Sequence, residues 1–236
     1  LDLYCFIDGK WRFMNSAQPS GKTNQWQIIS GMDATEREYM LYLPLYDGIH
    51  SLQIGVAAPS HIGQPSLPYP DTRKPIVFYG SSITQGACAS RPGMAATNLI
   101  GRKLNVETIN LGFSGNAFID YEVAEMMAHV DASAYVLDYV PNASPEQILE
   151  KTEKFVRILR EKHPDVPLIF VEDPIFPHSK FDLRMAKEIK DKNDAMNQAF
   201  SSLKKQGLKK IYLVKGRSLI SANGESTVDG IHFTDC

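Results

Sequence analysis

Beyond Pro75 the chain alternates short apolar runs with amphipathic helical patterns, and few folds accommodate that alternation. The runs at residues 76–79, 106–111, 134–139, 167–171 and 211–214 have the length of strands buried on both faces. Between them, residues 95–104, 121–129, 145–162 and 182–206 carry apolar side chains at helical spacing. The third helical pattern opens with Ser144 as N-cap, Pro145 in the first position and Gln147 placed to close a capping box. Its inward stripe is Ile148, Thr152, Phe155, Val156 and Leu159. The fourth keeps Leu183, Ala186, Ile189, Met196, Phe200 and Leu203 on one side and meets Gly207 at a C′ position. Such alternation predicts an α/β domain with a parallel sheet and right-handed crossovers.

The first strand of this series runs into Gly80-Ser81-Ser82-Ile83-Thr84-Gln85-Gly86. The carboxyl edge of a parallel sheet is where open α/β folds place their chemistry, and here the turn presents a hydroxyl, from Ser81 or Ser82, beside backbone N–H groups. Taken alone, the stretch reads equally as a strand-to-loop turn with serine as a helix N-cap. The other end of the chain changes the balance. Asp229-Gly230-Ile231-His232 brings a carboxylate and an imidazole three residues apart. A serine nucleophile needs a base for its proton, and the base needs an acceptor that fixes its tautomer.

These residues resemble the SGNH (GDSL-type) hydrolases. The first block of that family is similar to Gly80-Ser81-Ser82-Ile83-Thr84, with Ser82 as nucleophile. The second is similar to Asn110-Leu111-Gly112-Phe113-Ser114-Gly115-Asn116, the third to Val140-Pro141-Asn142-Ala143, and the last to Asp229 through His232. The blocks follow in order over about two thirds of the 236 residues. Two positions depart from the family pattern: Ser81 stands where Asp is usual, and Pro141 occupies a loop that normally carries Gly before the Asn. The resemblance implies a flavodoxin-like three-layer sandwich with a five-stranded parallel sheet. It also implies an ester hydrolase with Ser82, Asp229 and His232 as catalytic residues. The oxyanion hole would comprise the N–H groups of Ser82 and Gly115 and the amide of Asn142. No metal or organic cofactor is implied. The loops after the first three strands of the series bear Ser82, Gly115 and Asn142, so all three are expected at one carboxyl edge.

Residues 1–70 read differently. Residues 1–7 and 11–14 flank Asp8-Gly9-Lys10, a hairpin signal. Further strands are expected at 26–29, at 37–45 with Tyr39, Leu41, Leu43 and Leu45 alternating, and at 49–57. The region predicts a small antiparallel β domain, sandwich-like, and the opening Leu1-Asp2-Leu3-Tyr4 resembles the N-terminal domain that precedes some SGNH hydrolases. Trp11, Trp26, Tyr39, Tyr42 and Tyr46 are read as packing residues ahead of a sugar-stacking surface. Five prolines between Pro59 and Pro75 mark a linker, so the units are drawn at residues 1–70 and 71–236, with the boundary near Asp71.

A formal net charge of -2 leaves no electrostatic footprint for nucleic acid, and no run reaches the roughly 18 apolar residues of a membrane span. Cys5, Cys88 and Cys236 form no Cys-x-x-Cys pair. Leu1 opens neither a signal peptide nor an initiator Met, so the chain reads as processed or trimmed; family analogy favours a periplasmic or secreted location. Only four residues follow His232, where this fold usually continues into a closing helix, and an exposed apolar strip is expected on that side. Glu172, Asp173 and His178 near the fourth strand end are candidates for a substrate pocket or metal, against a solvated strand end. The lysines of 187–192 read as a solvated helix face. The expected substrate is a small-molecule or carbohydrate ester, an acetyl ester first. A glycan-binding protein that has lost activity is the alternative, and a nucleotide binder fits less well because no Gly-x-Gly-x-x-Gly or Walker spacing follows the strand. Oligomeric state is left open.

Overall fold

The computed structural model describes residues 1–67, 74–221 and 223–235; the domain boundary expected near Asp71, and Cys236, lie outside them. The second part of the chain holds five parallel strands, β4 (Ile76–Gly80), β5 (Thr108–Gly112), β6 (Ala134–Asp138), β7 (Leu168–Val171) and β8 (Ile211–Val214), in the order β5-β4-β6-β7-β8. The order reverses at β4, so the crevice between the loops after β4 and β6 is the topological switch point where such sheets bind ligands. The helices are α1 (Ser82–Gln85), α2 (Ala96–Leu104), α3 (Tyr121–Met127), α4 (Pro145–Lys162) and α5 (Leu183–Lys205).

One face of the sheet carries the main core. Val77, Tyr79, Tyr135, Leu137, Leu168 and Phe170 pack there against Met127 of α3, Phe155 and Leu159 of α4, and Met196 and Leu203 of α5. Tyr79 stacks on Phe155 with ring centroids 5.3 Å apart. Its hydroxyl accepts from the N–H of Ile119 at 3.1 Å, which satisfies its buried polar end. The capping box at Ser144 and Gln147 forms as the sequence predicts. Asp182 caps α5 by accepting from the N–H groups of Arg184 and Met185.

The opposite face is covered at the β4–β5 end by α1 and α2, where Asn110 of β5 donates to the carbonyl of Thr84 and the hydroxyl of Thr97. Phe78, Val136, Ile169 and Tyr212 are paired in register across β4, β6, β7 and β8 on this face. Phe78 is buried, Val136 and Ile169 are half-buried, and Tyr212 is 54% exposed. Only Tyr212 at the β8 edge is exposed, so the row is not the exposed apolar strip expected from the sequence.

Residues 1–67 form one antiparallel sheet of β1 (Asp2–Ile7), β2 (Lys10–Ser16) and β3 (Tyr39–Tyr42), in the order β2-β1-β3. The hairpin turns at Asp8-Gly9, both at positive φ, as a two-residue primed turn requires. The strands expected at 26–29 and 49–57 are not formed, and the strand expected at 37–45 shortens to four residues. In the described residues the expected sandwich is therefore a single sheet. Trp26, Ile29, Ile49, Ile54 and Val56 stay exposed, and alternation produces a strand only where a partner edge and a face to bury exist. Among the aromatics, Tyr42 packs edge-on against Tyr4 and Trp11 against Phe6.

Candidate active site

The site begins with two glycines. Gly80 ends β4 and pairs in register with Gly112 at the end of β5. A Cβ on Gly80 would lie 2.1 Å from Thr84 Oγ1, and one on Gly112 would lie 2.2 Å from the backbone N of Gln85. Helix α1 therefore sits directly on the strand ends because neither position carries a side chain. Ser81, fully buried, caps it by accepting from the N–H of Ile83 at 3.2 Å. Gly86, at φ +98, closes it in the left-handed conformation. The N-cap reading of this stretch thus holds for Ser81, while the next hydroxyl is turned outward.

Ser82 Oγ lies 2.8 Å from His232 Nε2, and His232 Nδ1 lies 2.6 Å from Asp229 Oδ2. The second contact is built within one turn. Asp229 Oδ1 also accepts from the backbone N–H groups of Ile231 and His232, at 3.0 and 2.8 Å. The N–H of Val228 donates to the carbonyl of His232 at 2.9 Å, and Gly230 takes φ +91. Phe233 packs with Ile83 of α1, Phe176 and Ile189 of α5, which anchors the turn over the Ser82 loop. The hydrogen bond from the imidazole, and then those from the His232 and Ile231 amides, hold the Asp229 carboxyl well below the usual carboxylate range. Asp229 is thus an anion under ordinary conditions, aimed at the ring nitrogen remote from Ser82.

The other expected residues come to the same edge. Gln85 Oε1 accepts from the N–H of Ser114 at 2.9 Å, which fixes the loop after β5. Gly115 follows at φ +69, and its own N–H makes no hydrogen bond to a described residue. Ser82, as the first residue of α1, has an N–H with no intrahelical acceptor. Asn142 Oδ1 accepts from the N–H of Ala117 at 3.2 Å, which orients the amide so that Nδ2 points the other way. The Pro141 carbonyl just before it accepts from Lys192 Nζ at 3.0 Å. A side chain from α5 thereby holds the loop that lacks the customary glycine.

Lys192 corrects one expectation. It is buried, unlike the solvated Lys187 and Lys190 beside it, and pairs with Glu188 at 2.7 Å and with Asp173 at 4.0 Å. Glu172 and Asp173 are likewise not a solvated strand end: both are buried. Glu172 accepts from Asn197, Lys215 and the N–H of Gly216, so both of its oxygens tie β7 to α5 and to the loop after β8. Burial pushes the Asp173 carboxyl up to about 7, with Lys192 pulling it down and Glu188 adding to the rise. Asp138 lies behind the Ser82 loop, where Thr84 Oγ1 donates to it at 2.6 Å. Enclosure of that carboxyl raises it to about 7 as well. His178 stacks on Phe176 and lies against Gly230, beside the Asp229–His232 turn. Sequence reasoning missed Thr84, Gln85, Asp138 and Lys192; the adjacency of Thr84 and Gln85 to Ser82 was the available signal.

A flavodoxin-like sheet with a serine, a histidine and a carboxylate linked at its carboxyl edge defines an ester hydrolase of the SGNH type. The chain belongs to the GDSL-like lipase/acylhydrolase family, whose model matches residues 73–236. Residues 1–62 match the GxDLY model of the N-terminus of SGNH-hydrolase-type esterases. The structure of a GDSL-like lipase from Bacteroides ovatus is 42% identical with a TM-score of 0.94, and the match covers 99% of this chain and 68% of that one. The salicylyl-acyltransferase SsfX3 from a tetracycline biosynthetic pathway is 17% identical with a TM-score of 0.60, covering 69% of this chain and 50% of that one. A family two carbohydrate esterase from Clostridium thermocellum is 14% identical with a TM-score of 0.50, covering 69% and 59%. The last two likenesses are of fold alone. No curated protein sequence matches the chain. No helix among the described residues is long and apolar enough to cross a membrane.

Proposed function

We propose that the protein hydrolyses a carboxylic ester, an acetyl ester on a carbohydrate first, through an acyl-enzyme on Ser82. The observation that carries this reading is the continuous link from Ser82 Oγ through both nitrogens of His232 to Asp229. His232 Nε2 takes the Ser82 proton as Oγ attacks the ester carbonyl, and Asp229 holds the proton on Nδ1 and stabilises the imidazolium. The oxyanion is received by the N–H groups of Ser82 and Gly115 and by Asn142 Nδ2, none of which is spent elsewhere among the described residues. His232 returns its proton to the leaving alcohol. A water activated by the same nitrogen then releases the acid.

The residues around this site are mixed, with Ser114 and Asn116 exposed beside Gly115 and Phe113, Val228 and Ile231 exposed as well, so the preference for a carbohydrate ester rests on the resemblance to SGNH esterases. We assign residues 71–236 to the hydrolase unit and residues 1–70 to the β unit. The test is hydrolysis of p-nitrophenyl acetate by wild type and Ser82→Ala with matched circular dichroism, followed by acetylated sugars. Activity that disappears with Ser82 while the fold remains supports the acyl-enzyme; unchanged turnover refutes it.

A further inference from the structure

The loop after α1 brings a thiol to the catalytic pair. Cys88 is exposed, and one donor atom each from Cys88, Asp229 and His232 lies within 4.8 Å of the other two. The loop is held in place: the N–H of Ala87 donates to the Ser82 carbonyl, that of Ala89 to the Gly86 carbonyl, and that of Ser90 to Asp235. Cys88 itself sits at φ +64. Soft thiolate, borderline imidazole and hard carboxylate together are a donor set for zinc, with Zn–S near 2.3 Å and Zn–N and Zn–O near 2.0–2.2 Å. Tetrahedral coordination at those lengths separates donors by about 3.3–3.6 Å, so Cys88 has to approach by up to about 1.5 Å from the 4.8 Å limit and the Asp229–His232 pair, at 2.6 Å, has to open by somewhat less than about 1 Å.

We infer that Cys88, Asp229 and His232 form a binding site for a thiophilic divalent cation such as Zn²⁺, and that occupancy switches the hydrolase off. The thiol releases its proton to solvent and the thiolate gives an electron pair to the metal. With Nδ1 as the imidazole ligand the ring stays neutral: its proton moves to Nε2, which can then only donate towards Ser82, and the metal sits between His232 and Asp229. The base is thereby removed, so metal and turnover exclude each other. The loss of rate rests on the proposed role of His232; the binding does not.

The experiment is titration of the purified full chain with Co²⁺, read by the thiolate-to-cobalt charge-transfer band in the near ultraviolet, and with Zn²⁺, read by displacement of that band. Wild type should bind one Co²⁺ with the band present, and Cys88→Ser and His232→Ala should each lose it. In parallel, Zn²⁺ should inhibit p-nitrophenyl acetate hydrolysis reversibly by chelator, with the half-inhibiting concentration raised about tenfold or more in Cys88→Ser, as expected on losing one of three ligands. No band in wild type, or a band that persists in His232→Ala, overturns the site. A band in wild type without ester hydrolysis would keep the metal site and instead refute the proposed esterase.

Discussion

The carboxylate of Asp2 accepts a hydrogen bond from the backbone N–H of Gly93 at 2.6 Å. Asp2 has no exposed surface, and it also accepts from Ser16 Oγ at 2.8 Å and from Arg91 at 3.4 Å. Tyr4, two residues on and on the same face of β1, receives a second hydrogen bond from Arg91 and packs where any side chain on Gly93 would clash. The Asp and Tyr of the opening Asp2-Leu3-Tyr4 therefore clasp the far end of the loop that starts at the helix carrying Ser82.

Replacing Asp2 with Ala should leave the Gly93 amide and the Arg91 guanidinium without their buried partner, at a cost of about 3 kcal/mol. Urea unfolding should show a lower midpoint at unchanged slope. A midpoint within error of wild type would mean that the clasp adds nothing.

Asn142→Ala removes the one side-chain donor proposed for the oxyanion and leaves its backbone in place. Turnover should fall by about 100- to 1,000-fold with KM little changed. A variant that alters KM alone would reassign Asn142 to substrate binding.

Gly80→Ala tests the foundation of the site. The added methyl meets Thr84 Oγ1 and the Asp138 carbonyl at 2.1 and 2.7 Å, so α1 must lift. Overpacking of this kind costs about 1–3 kcal/mol, and activity should drop by more than the folded fraction does. Activity that merely tracks the folded fraction would show that Ser82 tolerates the shift.

Stability should decrease from pH 5 to pH 8. The Asp173 carboxyl is held at about 7 in the folded chain, against about 3.9 when unfolded. Between those values the folded state keeps a proton that the unfolded state has released, so stability falls with rising pH and levels off above about 7. Asp229 has the opposite sign: its depressed carboxyl contributes stability above about pH 4 that is lost as acid protonates it. Unfolding midpoints at pH 5 and pH 8 should differ by less in Asp173→Asn than in wild type. An equal difference in the two proteins would remove Asp173 as its source.

The sheet was legible because each strand of the α/β part is its own signal: residues 211–214 read as an apolar run whatever pairs with them. Ser82 and His232 were legible for a different reason. The turn chemistry around each is local, with Gly80 and Gly86 on one side and Gly230 on the other. What escaped depends on a distant partner. Lys192 resembles Lys190 until α5 is laid against the Pro141 carbonyl, and Glu172 is a strand-end acid until Gly216 and Asn197 arrive. The apolar residues between 49 and 57 alternate suitably but find no edge to join.

The Asp229–His232 turn has one more implication. Its carboxylate, both backbone amides and the imidazole it steadies all come from four consecutive residues, while the contact with Ser82 spans 150 positions of sequence. The geometry of Asp229 against His232 is therefore set locally by the turn, whereas the contact with Ser82 depends on how the turn docks on the sheet. Two contacts set that docking, Phe233 against Ile83 of α1 and Asp235 with the N–H of Ser90, so residues that follow His232 in sequence decide how far its ring stands from Ser82.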